Sequence, residues 1–269
     1  MDNIWLIPLG FAIGALGTLI GAGGGFILVP VLLLLYPSYS SETVTSISLA
    51  VVFFNALSGS AAYARMGRIA YRSGLIFSAA TIPGAILGAF STTLIPRGIF
   101  DGIFGVLLLL LSVFLVVRPT GKENDVCRPN ERECTVVERD GTTHHFSYNE
   151  TLGISLSVAV GYLSSLLGIG GGIIHVPALV RLLHFPVHIA TATSHFVLAF
   201  TALAGTLTHI AAGSFRDGAC RTLLLAAGVL VGAQIGARFS TRIHGRWIIR
   251  ALAFALGAVG VRLMMTVLG

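Results

Sequence analysis

"GAGGGF" at residues 21–26 sits inside the apolar run "LGTLIGAGGGFILVP" (16–30), and 147 positions later the chain writes "LSSLLGIGGGIIHVP" (163–177). The first cluster lies in the middle of an apolar stretch covering residues 4–36. As one continuous helix that stretch would be about 50 Å long at ~1.5 Å per residue, against a hydrocarbon core of ~30 Å. A straight helix would fit only at a tilt above roughly 50°, outside the usual 0–40°. Glycine is the poorest helix former after proline and takes backbone angles closed to other residues. Each cluster therefore predicts a break that leaves two short membrane-embedded helices or a re-entrant hairpin.

The surrounding composition supports a membrane setting. Of 269 residues, 55% are hydrophobic and only 10% are charged, and mean hydropathy is +0.88. A soluble domain carries about a quarter charged residues, so this chain lacks the charge to cover a water-facing surface. Short alternating strands of the outer-membrane type are absent. The start, "MDNIWLIPLG", has no basic region before its apolar run, and a cleaved signal peptide is not expected. The net charge of +6 comes from arginines between apolar segments, where they orient a protein in the bilayer. A nucleic-acid partner is not implied.

Eight apolar segments follow one another, at about 4–36, 43–64, 73–95, 99–118, 151–183, 188–212, 219–240 and 247–268. With the two long ones broken they make ten helices. The expected fold is an all-α polytopic membrane protein with an N-terminal transmembrane repeat (1–118), a polar cytoplasmic loop (119–150) and a C-terminal transmembrane repeat (151–269). Within the loop, "TVVERDGTTHHFSY" has strand-like ends around Asp140-Gly141 and predicts a small hairpin. Cys127 and Cys134 lie there near His144 and His145, but the spacing matches no standard zinc pattern. They read as reduced thiols, and no metal or cofactor is expected.

The halves match beyond the glycines. Gly14, Gly21, Gly23, Gly24, Gly25, Val29 and Pro30 align with Gly161, Gly168, Gly170, Gly171, Gly172, Val176 and Pro177. "TVTSIS" (43–48) aligns with "TATSHF" (191–196), and "GAILGA" (84–89) with "GAQIGA" (232–237). This order reads as an internal duplication. If each long segment enters and returns, twelve lysines and arginines fall on the side of the central loop and three on the other. A single crossing gives ten against five. The positive-inside rule prefers the first arrangement, with the central loop cytoplasmic and the halves inverted in the membrane. Arg65, Arg68 and Arg72 read as topology anchors.

The paired "GAGGGFILVP" and "GIGGGIIHVP", each followed by a Thr-Ser pair and a "GAxxGA", resemble the sulfite exporter TauE/SafE family of membrane transporters. The resemblance covers both apolar halves. It implies a secondary transporter of small sulfur-containing oxyanions or organosulfonates, of the sulfite, thiosulfate and sulfonate class, in the bacterial inner membrane. This chain departs from the commoner pattern in its longer central loop and in His175 and His195. No HExxH, GxSxG or pair of intramembrane aspartates suggests an enzyme. An anion channel or sensor on the same scaffold is the alternative.

A broken helix presents unpaired N–H groups and a partial positive charge at its new N-terminus, which suits an oxyanion. The expected substrate site is therefore Gly23, Gly24 and Gly25 with Gly170, Gly171 and Gly172. Thr45, Ser46, Thr193 and Ser194 supply hydroxyls, and Asn55 an amide. Each has a plainer reading: close helix packing for the glycines, bonding to a helix carbonyl for the hydroxyls, interhelical bonding for the amide. His175, His195 and His209 are ionisable groups in or near apolar segments. His195, one residue after Ser194, and His209 are the candidates for carrying a coupled proton, His195 foremost. The partners are a small anion and the lipid bilayer, and a homodimer is one arrangement the sequence leaves open.

Overall fold

The computed structural model describes residues 4–36, 38–117, 131–213, 215, 218–240 and 245–268. In chain order the elements are α1 (Leu6–Ile20), α2 (Gly25–Leu35), α3 (Ser41–Met66), α4 (Tyr71–Thr92) and α5 (Arg97–Val117). A hairpin of β1 (Arg132–Val137) and β2 (Thr143–Tyr148) follows. The second set is α6 (Glu150–Leu167), α7 (Gly172–Arg181), α8 (Val187–Ala211), α9 (Ala219–Ser240) and α10 (Gly245–Leu268). Among the described residues, α3, α4, α6, α8 and α9 are long and apolar enough to cross a bilayer. The protein is an all-α polytopic membrane protein. Cys127 lies outside the described residues.

Both long segments break where the glycines predict. α1 ends at Ile20 and α2 starts at Gly25, while α6 ends at Leu167 and α7 starts at Gly172. Gly24 and Gly171, the residues before the new helices, both have φ +80°, a region that a side chain makes costly.

Packing shows which way the broken segments run. α1 lies along α9 in the same direction: Gly10 touches Leu225, Gly14 touches Val229 and Gly236 touches Ala15, all backbone to backbone. Yet the guanidinium of Arg221, at the start of α9, sits 4.6 Å from the ring centroid of Tyr36, just after α2. The end of α2 has therefore come back to the end of the bundle where α1 began. The second pair does the same. The ring of Tyr148, two residues before α6, is 5.2 Å from that of Phe185, which follows α7. Each broken segment enters the bundle and returns, as the charge count favours.

α3 and α8 form the most buried pair of the candidate spans. α4 runs along α6 with Gly84 against the backbone of Val158 and Gly88 against that of Tyr162. Such glycine contacts let helix backbones approach where no hydrophobic effect drives them together. α5 packs on α10, where the Ser112 hydroxyl donates to the carbonyl of Ala253 at 2.8 Å.

The hairpin forms as the sequence suggests, antiparallel, with Arg132 opposite Tyr148 and Val137 opposite Thr143. It is docked, not solvated. Val136, Phe146 and Tyr148 pack with Phe77, Leu183, Phe185 and Ile189 from the helices. The Ser73 hydroxyl donates to Tyr148 Oη at 2.8 Å, and Arg139 N–H donates to the carbonyl of Met66 at 3.0 Å. This corrects the reading of Arg68 as a topology anchor alone. Its side chain is buried and donates from Nε to Glu138 at 2.6 Å, and His144 bonds the other carboxylate oxygen at 3.0 Å. An ion pair shielded in this way belongs to the tertiary structure.

Candidate functional site

The two breaks meet at the centre of the bundle, each against the other. A Cβ added to Gly25 would lie 2.7 Å from the carbonyl oxygen of Ile169, and one on Gly172 would overlap that of Gly21. The N-terminus of α2 thus abuts the C-terminal end of α6, and that of α7 abuts α1, a favourable opposition of helix dipoles. Gly23 and Gly170 both face the same two apolar side chains, Val52 of α3 and Leu198 of α8. These side chains fill the space between the breaks.

Around the first break Thr18, Asn55 and Tyr63 are all hydrogen-bonded. The Thr18 hydroxyl donates to Asn55 Oδ1 at 3.0 Å, Asn55 Nδ2 donates to the Gly23 carbonyl at 2.9 Å, and the Tyr63 hydroxyl donates to the Thr18 carbonyl at 2.8 Å. The Thr18 proton is committed to Asn55. His195 Nε2, 3.3 Å from the Thr18 oxygen, must then be the protonated nitrogen of a neutral ring. Nδ1 of His195 is left without a hydrogen bond, although the main chain of Gly21 and Asn55 lies close to the ring. Asn55 is spent on holding the break.

The second break is different. A narrow crevice, too tight for water, is lined by Gly170, Gly171, Gly172, His175, Ser194, Thr81 and Thr201 with Val160, Val197 and Leu198. Ser194 Oγ and His175 Nδ1 are buried in it without partners. Ser164 Oγ is equally unpartnered, and a Cβ on Gly171 would come within 3.0 Å of it. Thr201 donates to Thr81 at 2.9 Å, and Thr81 donates to the Ser78 carbonyl at 2.8 Å.

The other expected site residues are placed as follows. Ser46 donates to the Thr43 carbonyl at 2.9 Å, the ordinary bond of a hydroxyl to its own helix. Thr193 Oγ1 accepts from the Ala70 N–H at 3.1 Å, pinning the start of α4. Thr45 is buried with its hydroxyl unpartnered, its Cα and methyl group packed against Gly168. His209 is buried with neither nitrogen hydrogen-bonded, and Glu42 is the charged group bearing on it. It lies fourteen residues beyond His195 on α8, or about 21 Å along the helix, so the fold does not bring it to the breaks. Sequence reasoning missed Thr18, Thr81, Ser164 and Thr201. Thr18 and Ser164 sit three and four residues before Gly21 and Gly168, where the clusters begin, near enough to be reached by the returning chain.

Discontinuous helices meeting inside a helical bundle, with polar groups gathered at the junction, define a membrane-transporter scaffold. The chain belongs to the sulfite exporter TauE/SafE family, whose pattern matches residues 6–263. It is 30% identical over 271 residues to the probable membrane transporter protein YunE of Bacillus subtilis (strain 168), covering 98% of each chain. It is 24% identical over 272 residues to the probable membrane transporter protein MJ0441 of Methanocaldococcus jannaschii, covering 97% of this chain and 94% of that one. No solved structure matches it. Membership places the chain among integral, multi-pass membrane transporters.

Proposed function

We propose that the protein is a secondary transporter of a small sulfur-containing oxyanion or organosulfonate, bound where the two glycine breaks meet. The observation that carries this reading is the set of buried hydroxyls without partners, Ser164 and Ser194, beside a glycine break that starts a helix. A buried hydroxyl left unmatched costs about 1–3 kcal/mol. A ligand that accepts from it recovers that cost. The N–H groups of Gly172 and Ile173, which open α7, precede its first internal bonds and add donors, and neutral donors bind weakly enough to release what they hold.

In this reading three full crossings and one hairpin make up each half, so the halves are related as inverted repeats. The central hairpin and loop then face the cytoplasm, where the arginine excess belongs. Val52 and Leu198 close the space between the breaks in an occluded conformation, and rocking of one half against the other opens it to each side.

The test is solute flux in proteoliposomes loaded with sulfite, thiosulfate or an organosulfonate, with and without a pH gradient. Saturable, gradient-sensitive movement of one of these anions is the expected result. Non-saturating flux that ignores the gradient supports a channel instead, and no flux of any of them removes the reading.

A further inference from the structure

The two breaks are alike in backbone and unlike in hydrogen bonding. At the first, Thr18, Asn55 and Tyr63 are all engaged with each other or with the chain, and of that group with His195 only the ring Nδ1 is unpartnered. At the second, Ser164 Oγ, Ser194 Oγ and His175 Nδ1 are buried and unpartnered within one small region. His175 has no counterpart, since Leu28 stands at the equivalent place.

The protonation of His175 follows from its neighbour. The single proton of Ser157 is given to the Gly153 carbonyl at 2.7 Å. Nε2 of His175, 3.4 Å from the same serine oxygen, must then carry the proton and donate it. In a neutral ring that leaves Nδ1 as a bare acceptor. The second break therefore offers two free hydroxyls, those of Ser164 and Ser194, and one acceptor, His175 Nδ1. A fully ionised oxyanion has nothing to give that acceptor. An oxyanion that still carries a proton does.

We propose that, once rocking of the halves widens the crevice, the anion binds off-centre, at the second break, as one dianion plus one proton, with its O–H directed to His175 Nδ1 and its other oxygens facing Ser164, Ser194 and the start of α7. The proton can rest on oxygen or nitrogen, and the bound unit carries one negative charge either way. This rests on the oxyanion-transporter reading and adds to it the form of the substrate and the residue that couples it to protons. Charge supports it. The elements around the ring present Phe77 and Thr81 of α4, Ser157 and Val160 of α6, and Ser194, Val197 and Thr201 of α8. Among the described residues no charged or titratable group acts on His175 from any of them. With no fixed cation present, halving the ligand charge cuts its desolvation cost to about a quarter, because that cost grows as the square of the charge.

The experiment is calorimetric titration of the full-length protein in detergent at pH 8, in two buffers of different ionisation enthalpy. The probes are sodium sulfite and sodium methanesulfonate, the latter singly charged with no proton to offer. The parent is expected to take up about one proton per sulfite bound and to bind methanesulfonate at least tenfold more weakly. His175→Leu, which copies the residue of the first half, is expected to weaken sulfite about tenfold and leave methanesulfonate unchanged. Ser164→Ala is expected to weaken both. Sulfite binding without proton uptake, or an equal loss of both anions in His175→Leu, overturns the proposal while the transporter reading stands. If the parent binds neither anion, the oxyanion reading falls and this proposal with it.

Discussion

Ser46 and Ser194 hold equivalent places in the two Thr-Ser pairs but differ in hydrogen bonding: Ser46 donates to the Thr43 carbonyl at 2.9 Å, whereas Ser194 Oγ is buried without a partner. Their alanine variants should separate accordingly. Ser194→Ala removes an unsatisfied group, so thermal stability in detergent should hold or rise, while the dissociation constant for sulfite rises about tenfold. Ser46→Ala should leave binding within about twofold. Titration and thermal unfolding of the two purified variants check both signs, and equal behaviour would remove the distinction.

The interlocked breaks leave no room for a methyl group. A Cβ on Gly25 would meet the carbonyl oxygens of Ile169 at 2.7 Å and Gly168 at 2.8 Å, and neither can rotate away. Gly25→Ala should cost about 1–3 kcal/mol of stability through overpacking, read as a lowered melting temperature. Gly141→Ala is the control: its Cβ would meet nothing within 4 Å. It should lower stability only through its turn conformation.

Glu138→Ala leaves the buried Arg68 without its partner. Breaking such a pair costs about 3–5 kcal/mol, more than replacing both members. The hairpin should then become sensitive to protease at the turn around Asp140. The double variant Arg68→Met with Glu138→Leu should recover most of the protection. Proteolysis of the three proteins side by side gives the ranking.

Cys134 and Cys220 report sidedness. Cys134 sits on β1 and Cys220 at the start of α9, at opposite ends of the bundle in the proposed topology. An impermeant maleimide applied to intact cells should modify Cys220 and spare Cys134. In detergent, Cys134 should react more slowly than Cys220 at neutral pH, because burial pushes its thiol above the ordinary value of 9.0. The neutral thiol is favoured, so its rate should climb as pH rises past 9. A flat pH profile for Cys134 contradicts that environment.

Apolar segment lengths and the doubled glycine clusters were enough to place the helices and both breaks, because helix length and glycine's backbone freedom act locally. The hairpin at Asp140-Gly141 was legible for the same reason. The sequence also carried the list of polar residues near the breaks, since the Thr-Ser pairs and glycines recur in order. Which of those residues are free was decided only in three dimensions. A hydroxyl's partner is set by what packs beside it: Thr18 meets Asn55, Thr193 meets the backbone of Ala70, and Ser164 and Ser194 meet nothing. The direction of the returning helices was likewise suggested by charge but settled by Arg221 on Tyr36 and Tyr148 beside Phe185. Arg68 gave no hint of burial in its local sequence, because the carboxylate that holds it stands seventy residues away on β1's turn. Local propensity writes helices and breaks into the chain, while hydrogen-bond satisfaction depends on contacts between distant segments and exists only once they have packed.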